Sequence, residues 1–379
     1  MLVWDKDSVD PAVHRLRTTW ACKIANALGN RLDRALSCRA LAVAGSHWIP
    51  GIKAFQEAEV VHLQLLHATP FFSLLTLPRI ARLKPTVWTL HDPWALTGHC
   101  VHPLDCARWQ HGCGQCPDLK RVFPIHFDTT ALMFRYKRRM FGQADLDIIV
   151  ASRWMRRRLA QSPMFASQAV HVVPFGIDLE RFTPEGRDGL RKALRIAPDA
   201  FVVFFRRCDW EVKGTHLAIE ALMELQTQCS IHVLTVEQQG GLDALSAKFP
   251  VTELGWLENG DLLAAVYAAA DVFMVPSHES FCMMALESLA CGTPIICLEN
   301  SAVVELCRPP EAGLASSEHA PSALTAALSQ MIENQAMHRR MREQATAIAR
   351  EYSITRHVQH LLDIYTDKIA RYAAKYNTM

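Results

Sequence analysis

The sequence predicts an α/β protein made of two consecutive doubly wound domains, each a parallel sheet with helices on both faces. Three observations predict it. The chain has 379 residues, more than one domain of roughly 100–200 residues usually holds. Half of them are hydrophobic, ample for two buried cores and incompatible with a disordered chain. Short Val/Ile-rich runs alternate with longer amphipathic stretches on both sides of a turn-rich passage, Pro174-Phe175-Gly176-Ile177-Asp178. Buried parallel strands joined by helices produce that pattern.

Taken in order, residues 11–44 read as helix, with Leu16, Trp20, Ile24, Leu28, Leu32 and Leu36 marking one face at a spacing of four. Residues 60–64, 86–90, 147–151 and 171–174 read as strands of the first domain, and Ser152-Arg153-Trp154-Met155 opens a helix. Beyond Pro184 a second series follows at 200–205, 231–235, 251–254, 271–276 and 293–297, with helices at 216–225 and 261–269. In such folds ligands sit beyond the carboxyl ends of the strands, so a cleft between the domains is the expected active site.

Lys plus Arg is 40 and Asp plus Glu is 38, but residues 1–175 carry 22 basic against 12 acidic side chains and the remainder 18 against 26. A basic front and an acidic back suit two domains meeting different partners, and exclude a protein that coats nucleic acid along its length. The first seven residues hold neither a positive n-region nor an apolar h-region, and nowhere do 18 apolar residues run together. No export signal and no spanning helix are expected. The 12 cysteines then read as reduced thiols of a cytoplasmic protein.

Chemistry concentrates in three stretches. Pro276-Ser277-His278-Glu279-Ser280-Phe281-Cys282-Met283-Met284-Ala285-Leu286-Glu287 joins a strand end to a helix. The amides of the helix's first turn, from Phe281, Cys282 and Met283, lack internal acceptors and favour a phosphate. Glu279 precedes the helix and Glu287 lies about two turns along it, too far apart to share a proton and well placed to hold hydroxyls at two points of one extended ligand. The competing reading of each is a helix-end charge or a solvated face. This stretch, with Ser288-Leu289-Ala290-Cys291-Gly292-Thr293-Pro294-Ile295 after it, resembles the Glu-x7-Glu signature of retaining, family-4 type glycosyltransferases of the GT-B fold, in which two Rossmann-like domains face a cleft. The resemblance implies that Glu279 contacts the donor sugar and has a catalytic role, and that Glu287 contacts the ribose.

The second stretch, Phe205-Arg206-Arg207-Cys208-Asp209-Trp210-Glu211-Val212-Lys213-Gly214, follows the first strand of the second domain. An Arg and a Lys there can neutralise a nucleotide diphosphate and the charge that grows on it as the sugar leaves. By similarity to the family's Arg…Lys-Gly element the roles fall to Arg206 and Lys213, with Arg207 competing for the first. These cations do the work of a divalent ion, so no metal is expected in the chemistry. The alternative metal clamp, Asp145-Leu146-Asp147, precedes a strand instead of following one and reads as structural.

The third stretch, Thr89-Leu90-His91-Asp92-Pro93-Trp94, is similar to the His-Asp-x-Trp element of bacterial exopolysaccharide glycosyltransferases, including the colanic-acid branch. That likeness implies a catalytic His91 lining the cleft near the reacting sugar carbon, with Asp92 and Trp94 on the acceptor side. Cys100, Cys106, Cys113 and Cys116 follow, ending in Cys-x2-Cys. Structural zinc, redox-active or disulfide thiols, and plain packing are the open readings.

The resemblance runs from about residue 58 to the end and implies an acceptor-side domain at 1–174, a nucleotide-sugar-binding domain at 175–350 and a terminal helix, 351–379, crossing back to the first. Residues 1–57 depart from it: the first glycine is Gly29 and no apolar strand precedes the first helix, so the first domain is expected to lack its usual first strand and Gly-rich loop. Leu234-Thr235-Val236-Glu237 also stands where a Gly-containing turn is usual. The implied function is transfer of a sugar from a nucleotide-sugar donor to a polysaccharide or polyprenyl-diphosphate-linked acceptor in exopolysaccharide or cell-surface glycan synthesis. A binding or scaffold homologue with impaired catalysis is the alternative. Basic clusters at 135–139 and 153–158 suggest peripheral contact with the anionic inner face of the cell membrane; otherwise they are solvated helix faces.

Overall fold

The computed structural model describes residues 2–3, 9–16, 19–69, 71–120 and 124–376; most of the opening segment read for an export signal lies outside them. The chain divides into two compact units, Met1–Val173 with His360–Met379, and Pro174–Gln359. Among the described residues no helix is long and apolar enough to cross a membrane.

The first unit holds a parallel sheet of β1 (Val61–Leu63), β2 (Thr86–Leu90), β3 (Leu146–Val150) and β4 (Ala169–Val172), adjacent in chain order. Every residue of β2 and β3 is buried, as continuous apolar runs covered on both faces must be. Part of the long terminal helix Ile354–Tyr376 belongs to this unit. Ile364 joins Val87, Ile149 and Val173 in one apolar cluster. Its cations account for the Asp-x-Asp pair: Lys368 Nζ donates to Asp145 (2.6 Å) and lies 3.0 Å from Asp147, which Arg371 also meets at 2.5 Å. Both carboxylates are thus held by cations of the terminal helix, although only Asp145 precedes β3 and Asp147 lies within it.

The first helix, α1, is shorter than the periodicity predicts, running Trp20–Ala35 from a Thr19 cap, and it presents the opposite face. Trp20, Ile24, Leu28 and Leu32 are exposed, while the buried positions are Cys22, Asn26, Gly29 and Asp33. Leu16 is buried but precedes the helix. The reason is polar anchoring. Asp33 accepts from the backbone N–H groups of Leu41 and Ala42, Asn26 accepts from Gly45 N–H, and a Cβ on Gly29 would lie 2.3 Å from the Ala42 carbonyl oxygen. Unpaired backbone donors in the following loop cost more than an exposed leucine.

The second unit is a six-stranded parallel sheet. Its strands are β5 (Phe201–Arg207), β6 (Ile231–Glu237), β7 (Val251–Glu253), β8 (Val272–Val275), β9 (Ile295–Leu298) and β10 (Gly313–Ser316), in spatial order β10-β9-β8-β5-β6-β7. The order reverses between β5 and β8, so the crevice beyond their carboxyl ends is the switch point where open α/β sheets bind ligands. At the other end of β8 the carboxylate of Asp271 is clasped by Arg187 and Arg191, each at 2.6 Å, and by the Val202 N–H at 2.7 Å. Asp271 thereby ties the start of β8 to β5 and to the helix Arg187–Ala193.

Candidate active site

Arg206 and Arg207 end β5, and a single 3-10 turn, Glu211–Lys213, leads through Gly214 into helix α2 (Thr215–Glu224). Thr215 Oγ1 ties the turn shut, accepting from Cys208 N–H and lying 2.8 Å from the Cys208 carbonyl oxygen. Across the switch point β8 runs into Pro276, and His278 N–H donates to the Val212 carbonyl (3.0 Å). The two strand ends are thereby bound together. Between them lies a cavity of about 210 Å³ lined by Arg206, Lys213, Thr215, Glu279, Cys282 and Met283, with Phe205 and Phe273 among its apolar walls.

Lys213 Nζ pairs with Glu279 Oε1 at 2.7 Å, both side chains mostly buried. Arg206 pairs with Glu237, a residue that sequence reading flagged only as the place of a missing glycine. Against the desolvation that lowers it, the Arg206 guanidinium is held above its ordinary value by Glu237. Arg207 points elsewhere, to Asp209 and to the Gly240 carbonyl; of the two neighbouring arginines it is Arg206 that lines the cavity.

The helix after β8, α4 once α3 (Gly260–Ala269) is counted, runs Met283–Ala290 with Cys282 as its cap at φ +83°. It begins two residues later than the spacing suggested. Phe281 is buried against Phe175 (ring centroids 5.3 Å apart) and Tyr352, so its side chain packs the core and does not line the cavity. Burial pushes the Cys282 thiol up, leaving it neutral. Glu287 stands deeper, outside the cavity lining, and accepts from Tyr267 Oη at 2.9 Å. Burial raises its pKa, opposed by that hydrogen bond. Tyr267 on α3 was invisible to sequence reading, being 20 residues from its partner.

In the first unit His91 follows β2. Its Nε2 lies 2.6 Å from Gln64 Oε1, and Gln64 reaches His62 at 3.0 Å, which in turn meets Tyr365 Oη and Thr89 Oγ1. An amide oxygen only accepts, so Nε2 carries the proton; burial lowers the pKa of His91 and favours that neutral ring. Gln64 is a second residue that the motif did not reveal. Trp94 corrects the acceptor-side reading. It is 1 % exposed, stacks on His67 (centroids 5.0 Å apart), and has Lys137 Nζ 3.4 Å from its ring centre. Lys137 is wholly buried and donates to the Trp94 and Thr97 carbonyls, so the indole braces the loop from inside.

Asp92 caps that loop, accepting from Trp94 N–H (2.8 Å), with His67 at 3.2 Å. Burial raises Asp92 to about 6 and lowers His67 to about 3. At neutral pH the contact is therefore a neutral imidazole beside a carboxylate, not an ion pair. Because the folded-state value lies above the unfolded 3.8, this group's stabilisation is complete below pH ~4 and disappears as pH rises through about 6. Asp92→Asn keeps a capping oxygen and removes the titration. It should reduce the loss of unfolding free energy between pH 4 and 7 by at most about 3 kcal/mol, read from urea melts at the two pH values.

The metal reading of the cysteine loop is corrected. Among the described residues no group of three or more His, Cys, Asp or Glu is placed to hold a metal ion. Cys100, Cys106, Cys113 and Cys116 are free thiols. The loop uses two of them as hydrogen-bonding groups: Cys113 Sγ accepts from Gly98 N–H (3.1 Å) and Cys116 Sγ donates to the Asp118 carbonyl (3.3 Å). Burial pushes Cys113 up to about 11, which keeps it protonated.

A parallel α/β unit with its cavity at the switch point, lined by two cations and a carboxylate, belongs to the class of open-sheet domains built to hold an anionic ligand such as a phosphate. Residues 187–348 match the model of the glycosyl transferases group 1 family and residues 30–181 that of glycosyltransferase family 4. The chain therefore carries group 1 and family 4 glycosyltransferase domains, and each of its two units is a parallel-sheet α/β domain, the fold shared by its GT-B structural neighbours. Among curated relatives, the D-inositol 3-phosphate glycosyltransferase of Actinosynnema mirum is 32 % identical over 213 residues, 52 % of this chain and 51 % of that one. The chain spans about half the length of the curated relatives it matches. Solved structures agree in fold. Sucrose-phosphate synthase from Thermosynechococcus elongatus has TM-score 0.65 at 19 % identity, covering 86 % of this chain and 78 % of its own. Anabaena HepE, in complex with UDP and glucose, has TM-score 0.61 at 17 %, covering 85 % and 80 %.

Proposed function

We propose that this chain transfers a sugar from a nucleotide-sugar donor to a hydroxyl of a glycan acceptor, with retention at the anomeric carbon. One observation carries the reading: Arg206, Lys213 and Glu279 converge on a single cavity at the sheet's switch point. The cations take the donor diphosphate and stabilise the charge that develops there as the sugar–phosphate bond breaks. No metal is required for that step. Glu279 holds the sugar, the first-turn amides at Cys282 and Met283 face phosphate, and Glu287, oriented by Tyr267, holds the ribose. His91, set in one tautomer by Gln64, and Asp92 serve the acceptor side.

The acceptor is a polysaccharide or a polyprenyl-diphosphate-linked oligosaccharide of exopolysaccharide or cell-surface glycan synthesis. The protein works in the cytoplasm, with its basic first unit in peripheral contact with anionic membrane. The names of the curated relatives favour a second acceptor class, an inositol phosphate. Turnover and binding of nucleotide sugars, measured side by side with both acceptor classes, test the proposal. Turnover with either acceptor supports an enzyme and selects the class, whereas binding without turnover favours a scaffold homologue.

A further inference from the structure

The last residue of β6, Glu237, has φ +79°, a left-handed conformation that costs a non-glycine residue on the order of 1–3 kcal/mol. The strain is held in place by its surroundings. Glu237 N–H donates to the Gly255 carbonyl (2.7 Å), Gln238 N–H to the Arg207 carbonyl, and Gly240 N–H to Glu253 Oε2 (2.6 Å). Arg207 Nε adds a bond to the Gly240 carbonyl. So determined, the backbone delivers the Glu237 carboxylate onto the Nε edge of Arg206, a mostly buried pair beside the cavity. With Lys213 already on Glu279, each cation of the cavity starts out opposite a carboxylate.

We propose that Glu237 is a built-in counter-ion that sets how strongly the Arg206 side of the cavity holds phosphate, and that it favours release of the nucleoside diphosphate product over loss of the donor. The inference rests on the donor-site reading above. A nucleoside diphosphate carries about one more negative charge than its sugar ester, and a fixed carboxylate nearby repels the more highly charged species more strongly. Arg206 stays oriented by Glu237 while its net attraction for the departing product is reduced.

The test is calorimetric titration of UDP and UDP-glucose into the full chain and three variants. Glu237→Gln keeps the side chain's shape and removes its charge; Glu237→Gly removes both the charge and the backbone strain and guards against a folding failure of the first. Both should tighten UDP by about tenfold, and UDP-glucose by clearly less. Lys213→Ala, which reports on the cavity itself, should weaken both ligands. If Lys213→Ala weakens binding while the Glu237 variants leave UDP unchanged or weaker, the counter-ion role falls and the donor site stands. Equal tightening of both ligands overturns the selective release. If UDP fails to bind the unmodified chain, or Lys213→Ala binds it as well as the unmodified chain does, the donor-site reading fails and takes this proposal with it.

Discussion

Lys213→Ala should reduce sugar transfer about 10²–10³-fold, the usual cost of deleting one preorganised stabiliser of transition-state charge. The side chain stands at the end of a one-turn 3-10 segment with its ammonium on Glu279. Its removal takes away a cation and leaves that carboxylate uncompensated in a partly enclosed cavity, so phosphate is repelled where it was attracted. Lys213→Arg restores charge without the same reach and should recover part of the rate. The fold should survive, because the Lys213 side chain borders the cavity and its ammonium bonds Glu279, not a main-chain group. Initial rates from a nucleotide sugar, with circular dichroism as the check on folding, decide it. A variant within a few fold of the unmodified protein would remove Lys213 from the chemistry.

The sequence announced such a site because its chemistry lies in short, local patterns. Strand β8 is an unbroken apolar run and β2, β3 and β5 are dominated by aliphatic and aromatic residues, while Arg206, Lys213, Glu279 and Glu287 stand at or after strand ends at a spacing that needs no tertiary knowledge. What stayed hidden depends on contacts between distant residues. Tyr267 orients Glu287, Glu237 meets Arg206, and Gln64 fixes His91, each pair joined by sheet topology alone. Strand β10, Gly-Leu-Ala-Ser, lacks β-branched residues and carries no local strand signal; pairing with β9 makes it one. On α1 the period was correct and the face was not, since hydropathy counts leucines and overlooks an aspartate that satisfies two backbone amides. Trp94 was misplaced for a related reason: a motif gives the identity of a side chain, and packing decides which way it turns.

Gly214→Ala should both destabilise the second unit, by about 3 kcal/mol or more, and impair transfer. Gly214 sits at φ +66°, and a Cβ there would stand 1.9 Å from the Pro276 carbonyl oxygen and 2.7 Å from its carbon. Neither neighbour is a flexible side-chain end; both are main chain at the end of β8. Relief requires the Lys213 turn and the Pro276–Glu279 segment to separate, opening the His278-to-Val212 hydrogen bond and pulling apart the Lys213–Glu279 pair. The glycine of the Lys-Gly element is thus explained by the distance between two strand ends: their side chains can share one cavity only if the backbones touch. Gly189→Ala supplies the control. It lies in the helix Arg187–Ala193 with nothing within 4 Å of the added methyl, and should stabilise by up to about 1 kcal/mol with transfer unchanged. Thermal melts and rates measured on both variants separate the close approach at Gly214 from the generic effect of replacing glycine. A Gly214→Ala protein as stable and as active as the Gly189→Ala one would mean that the strand ends are not held together as described.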